Sequence, residues 1–108
     1  MASATESVKV TRWRGGQHPS LPLIAQRMTQ EGLRPYRWSN DPNFRYPARS
    51  HTYAKVLYCV QGSLDVIFPD LAELITLHPG DRIELASGIR HAQIVGPNGA
   101  QCLESELN

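Results

Sequence analysis

The chain reads as an all-β protein with one short helix near its N-terminus. Two observations carry that reading. Short runs of strand-forming residues recur at roughly 8–12-residue spacing with turn residues between them, the pattern of a β-sandwich or barrel. One stretch alone, Leu21, Ile24, Ala25 and Met28, repeats its apolar residues at helical spacing. No internal repeat and no low-complexity segment interrupts the chain.

The totals set the scale. The 108 residues fit a single domain with a modest core. With 41% hydrophobic and 19% charged residues the composition is globular. A formal net charge of +1 leaves no electrostatic footprint for nucleic acid or an anionic membrane. MASATESVKV lacks the basic and apolar regions of a signal peptide, and no apolar stretch nears the ~20 residues of a membrane span. Two cysteines, Cys59 and Cys102, stand in no metal-binding spacing. We therefore expect a cytoplasmic protein with reduced thiols, a Cys59–Cys102 disulfide being the lesser alternative.

The elements follow in order. Residues 1–6 are small and polar and are expected to fray. Val8, Val10 and Trp13 mark a first strand, and GGQHPS a loop. Ser20 is a helix cap with Pro22 in the first turn, and Gly32 ends the helix, which spans 21–31. RPYRWS is extended, and SNDPNFRYP is a turn-rich loop. His51 to Val60 is a strand, with Gly62 opening a turn or bulge into Leu64 to Phe68. Leu74 to Leu77 is a strand, HPGD a tight turn and Arg82 to Leu85 a strand. ASG turns again into His91 to Val95, GPNG signals a hairpin, and Ala100 to Leu107 closes the chain.

Two segments read together, SHTYAKVLYCVQGSL and LHPGDRIELASGIRHAQIVGPNG, resemble the two motifs of the cupin superfamily. Gly62 matches the closing glycine of the first motif. Its glutamate position falls on Lys55, and its two histidine positions on Arg49 and His51. In the second motif Gly80, Gly88 and His91 match, while Ala86 and Val95 replace a proline and an asparagine. The resemblance spans residues 35–107 and is closest to small, single-domain, RmlC-like cupins in which lysine commonly stands at the glutamate position. It implies a double-stranded β-helix, or jelly-roll, cupin barrel over 35–108. The strand and helix of 1–34 would pack on that barrel as an extension within one structural domain.

The resemblance also implies a metal site of three histidines and one carboxylate, holding a divalent transition metal such as Fe, Mn, Ni or Zn. This sequence keeps two of those four positions, His51 and His91. Strand alternation would put Arg49, His51, Tyr53 and Lys55 on one face, where two cations oppose a metal. Three readings compete. In the first, His51 and His91 hold a metal, with water or Gln93 completing the shell. In the second, they line a metal-free cationic pocket for a small carboxylate or phosphate. In the third, they are satisfied polar residues in a vestigial cavity.

An inward Lys55 needs a carboxylate, and Glu104 on the last strand is the best partner. Asp81, after a turn glycine, is expected to bond local backbone amides. The expected pocket is thus Arg49, His51, Tyr53, Lys55, His91, Gln93 and Glu104. Tyr36, Trp38, Phe44, Tyr46, Tyr53 and Tyr58 crowd the first half of the chain, and packing is favoured over a ligand-stacking wall. Two functions from different classes result. One is a homodimeric module binding a small organic anion or metabolite. The other is a divergent metal-dependent enzyme, of dioxygenase or isomerase type, built on His51 and His91.

Overall fold

The computed structural model describes residues 7–107, so the fraying expected of residues 1–6 lies outside the described residues. In order, the elements are β1 (Val8–Thr11), α1 (Leu21–Gln30), β2 (Tyr36–Asn40), β3 (Arg45–Arg49), β4 (Ala54–Phe68), β5 (Glu73–Leu77), β6 (Arg82–Leu85) and β7 (His91–Leu107).

Two long strands, β4 and β7, organise everything else. They pair antiparallel along their whole length, from Ala54 opposite Leu107 to Ile67 opposite Ala92. The first half of β4 also pairs with β6, and its second half with β5. The last part of β7 pairs with β2, and its first part with β3. One half of the barrel therefore runs β1-β6-β4-β7-β2 and the other β5-β4-β7-β3. Over the elements above, this is a mostly β, antiparallel jelly roll with the helix α1 at its side, as the sequence predicts.

The two halves meet where β4 and β7 bend. The ladder shifts register on both sides of Gly62. Gly62 has φ +79°, and a Cβ there would lie 1.9 Å from the Gly99 carbonyl oxygen, so no larger residue fits this corner. Opposite it, residues 96–99 of β7 answer a single residue of β4, Ser63. GPNG is thus a bulge inside a continuous strand and not the expected hairpin. The local turn signal is overridden because the flanking residues Val95 and Ala100 both keep their β4 partners.

Three other boundaries differ from expectation. The strand expected from His51 begins at Ala54, and residues 50–53 form a bend between β3 and β4. Arg45–Arg49, of which residues 45–47 are expected as loop, is an edge strand whose register shifts between Tyr46 and Arg49, around Pro47. Proline lacks the ladder donor and is tolerated there because β3 pairs on one side alone. The first strand ends at Thr11, short of Trp13.

The core has two compartments. Leu57, Cys59, Leu64, Val66, Phe68, Leu77, Ile83, Leu85, Val95 and Cys102 fill the barrel interior. Val56, Tyr58 and Val60, from the other face of β4, pack with Leu103 under Ile24 and Met28 of α1. β4 is buried on both faces for that reason, which explains its unbroken apolar run. The helix is capped as its sequence implies: the Leu23 N–H donates to Ser20 Oγ at 3.3 Å. The Leu33 N–H returns to the Met28 carbonyl at 3.0 Å beyond Gly32 (φ +83°).

Candidate functional site: a polar cavity at one end of the barrel

Lys55 shares its face of β4 with Leu57 and Cys59, so it enters the barrel with them. It is 2% exposed. Its Nζ lies 3.5 Å from Glu104 Oε2, the pairing expected from the sequence. Glu104 in turn is gripped by β2. The Tyr36 hydroxyl donates to Oε2, and Trp38 Nε1–H donates to Oε1 at 3.3 Å. The register sets this up, because Tyr36 sits opposite Glu104 and Trp38 opposite Cys102. Tyr36 is half exposed as a residue, yet its hydroxyl turns inward. Burial and the Glu104 carboxylate push its pKa up, so it stays a donor at every physiological pH.

Above this pair opens a cavity of about 160 Å³, lined by Tyr36, Trp38, Tyr46, Arg49, Gln93 and Glu104. Trp38 and Tyr46 meet edge to face at 5.6 Å, and Phe44 meets Tyr46 at 4.8 Å. Asn40 Nδ2–H donates to the Tyr46 hydroxyl, fixing that wall. Arg49 sits beside it, 5.8 Å from the Tyr46 ring centre, exposed and in no ion pair among the described residues.

His51, Tyr53 and His91 form a neighbouring cluster. His51 stacks on Tyr53 at 5.0 Å and lies 5.6 Å from the His91 ring. His51 and Tyr53 lie in the bend just ahead of β4, so strand alternation does not set their directions. His91 Nδ1–H donates to the Ile89 carbonyl at 3.1 Å, which leaves Nε2 as the free nitrogen. His51 Nε2 is buried with no hydrogen-bond partner. Burial, then the Lys55 and Arg49 charges, hold the His51 pKa below its usual value. Burial does the same to His91, against the Ile89 bond, with Lys55 and His51 adding to the fall. Burial also lowers Lys55, with Glu104 opposing.

Of the seven pocket residues expected from sequence, Arg49, Gln93 and Glu104 line the cavity, and Lys55 lies against Glu104 beneath it. His51, Tyr53 and His91 stand together to the side. Tyr36, Trp38 and Tyr46 are the walls that sequence reasoning left to packing. Their signal was the alternation of Tyr36 and Trp38, but only the β2–β7 register aims it at Glu104.

The donor set fits a metal poorly. The two imidazoles are two donors, while Lys55 and Arg49 stand where the resemblance implies the others. Glu104 is committed to Lys55, Tyr36 and Trp38. Among the described residues no three His, Cys, Asp or Glu side chains gather as a metal group. The two cysteines are free, buried and directly opposite one another in the β4–β7 ladder, away from the histidines in the apolar core.

No family model matches the sequence, and no curated protein matches it. Solved structures do. A DUF861 family protein of Thermotoga maritima superposes with a TM-score of 0.62 at 13% identity, covering 93% of this chain and 99% of that one. An RmlC-like cupin of Shewanella frigidimarina gives 0.59 at 19% identity, over 68% and 64%. The WlaRB TDP-quinovose 3,4-ketoisomerase of Campylobacter jejuni gives 0.60 at 25% identity, over 69% and 62%. With the bent β4–β7 pair and the two half-sheets around it, these likenesses fix the architecture: the fold of this chain is that of a small RmlC-like cupin domain.

Proposed function

We propose that the barrel cavity binds a small organic anion, a monocarboxylate with a compact apolar or planar body. The observation that carries this is the charge arrangement. Lys55 is already balanced by Glu104, and both histidines are held neutral, so Arg49 is the cation at the cavity with no carboxylate of its own among the described residues. A guanidinium presents a fork that matches a carboxylate. The Tyr36, Trp38 and Tyr46 walls supply the apolar surface, and about 160 Å³ limits the body to a handful of heavy atoms. The buried His51 Nε2 offers a further polar contact nearby. The protein acts as a homodimer in the cytoplasm in this reading, with its thiols reduced.

Isothermal titration of the full chain with aliphatic and aromatic monocarboxylates tests it. Saturable binding that weakens about tenfold in Arg49→Gln is expected, the loss of one charge-assisted pair. Binding indifferent to that substitution, or no binding across the panel, refutes the assignment. The competing reading, a metal-dependent enzyme, rests on the two imidazoles with free Nε2 atoms. Elemental analysis by plasma mass spectrometry, with His91→Ala beside it, separates the two. One transition metal per chain, lost in the variant, would replace the anion reading.

A further inference from the structure

A second concentration of charge lies outside the barrel, and nothing in the cavity accounts for it. Four of the chain's eleven Lys and Arg residues, Arg12, Arg14, Arg27 and Arg82, line one groove of about 450 Å³ between α1 and the outer face of β1 and β6. Among the described residues no carboxylate lines it. For a chain of net charge +1 this is a strong local asymmetry.

Three of the four guanidinium groups, those of Arg12, Arg27 and Arg82, are held in place. Gly80 lets Trp13 lie flat on the backbone, since a Cβ there would fall 2.5 Å from the indole ring. Trp13 Nε1–H donates to the Gln17 carbonyl at 2.9 Å, which fixes the ring edge. The Arg27 guanidinium then rests 4.5 Å from the ring centre, presented to the groove. Arg82 is clamped by Glu31 at 2.8 Å and lies over Tyr58 at 5.4 Å. Arg12 is clamped by Asp81 at 2.8 Å. Arg14 and Arg27 are different: neither makes an ion pair among the described residues. Two compensated arginines thus frame two uncompensated ones in a preformed cleft.

Two uncompensated positive charges match a dianion. Planar forks of N–H donors match tetrahedral oxyanions better than they match chloride. The groove is also larger than a bare phosphate needs, which leaves room for an organic body. We propose that this groove is a phosphoryl-oxyanion site, separate from the barrel cavity, and that it takes a small phosphomonoester. It is independent of the reading of the barrel cavity.

The test titrates the full chain with inorganic phosphate and with ribose 5-phosphate at constant ionic strength set by chloride. Saturable binding is expected, weakened at least tenfold in Arg14→Gln/Arg27→Gln and changed less than twofold in Arg49→Gln. Arg14 and Arg27 are exposed, so the double variant should melt within a few degrees of the parent. Arg27→Lys, which keeps the charge but loses the planar stack, is expected to fall between. Tighter binding of the ester confirms the organic ligand, and equal binding assigns the site to free phosphate. No saturable binding, equal affinity in the double variant, or loss in Arg49→Gln instead, each overturns the proposal.

Discussion

Two polar clusters sit at different points along β4, and they differ in how far their polar groups are satisfied. Near Cys59, Asp81 is 5% exposed and fully provided for. Its carboxylate accepts from the His78 N–H at 2.9 Å, the Trp13 N–H at 3.0 Å and Arg12 at 2.8 Å. Burial pushes its pKa up, but those donors outweigh burial and hold it below the usual carboxylate range. Near Lys55, among the described residues, His51 Nε2 has no partner and Arg49 no counter-charge. A saturated cluster ties elements together, here the segment after β1 to the turn before β6. An unsaturated one stores interactions for something else. In the proposed reading, that difference is what marks the second cluster as the binding site.

The largest expected effect tests the pair beneath the cavity. Glu104→Leu leaves Lys55 buried without a partner and should cost about 3–5 kcal/mol in urea unfolding. Lys55→Met/Glu104→Leu should recover most of that, because removing both charges also removes their desolvation cost. A double variant as unstable as the single one would mean that Tyr36 and Trp38 need the carboxylate more than Lys55 does.

Next comes the saturated cluster. Asp81→Ala should cost about 2–3 kcal/mol, as the part-buried His78 and Trp13 N–H donors lose their acceptor. Because the folded carboxyl titrates below its unfolded value of about 3.9, its contribution is complete above that pH. It is lost as pH falls through the folded value. A parent protein already losing this contribution near neutral pH would contradict the cluster as described.

The smallest effect on stability, and the sharpest for the comparison, belongs to His51→Leu. Removing a polar atom that has no partner should change stability by less than about 1 kcal/mol, in either direction. The same change should weaken carboxylate binding. It should also flatten the pH dependence. Folded His51 resists protonation, while the unfolded chain takes up its proton near pH 6.5, so the parent loses stability as pH falls below about 6.5. Thermal melts between pH 7 and 5 would show the parent sloping and the variant less so. A variant that slopes as steeply as the parent would move the effect to His91.

These clusters were unequally legible in the sequence. HPGD placed Asp81 after its turn, and the His78 N–H bond is the local capping that pattern implies. The Trp13 and Arg12 bonds come from residues far away in the chain, and no local pattern announces them. The Lys55–Glu104 pair was readable, because motif spacing put Lys55 inside and Glu104 stood on the last strand. The cavity walls were not, since Tyr36 and Trp38 reach Glu104 through the β2–β7 register. GPNG misled for the same reason. A turn signal describes four residues, and β4 holds the strands on either side of them.

The bend at Gly62 has a kinetic consequence. Because β4 and β7 cross the corner together, neither half-sheet contains a complete strand set until both have paired. Local hairpins give the chain little to build on, and the order of events is set by loop closure between distant segments. Such a barrel should fold slowly for its size, on the millisecond-to-second scale of non-local β-topologies. Its refolding rate should respond most to changes at the corner where the two long strands turn.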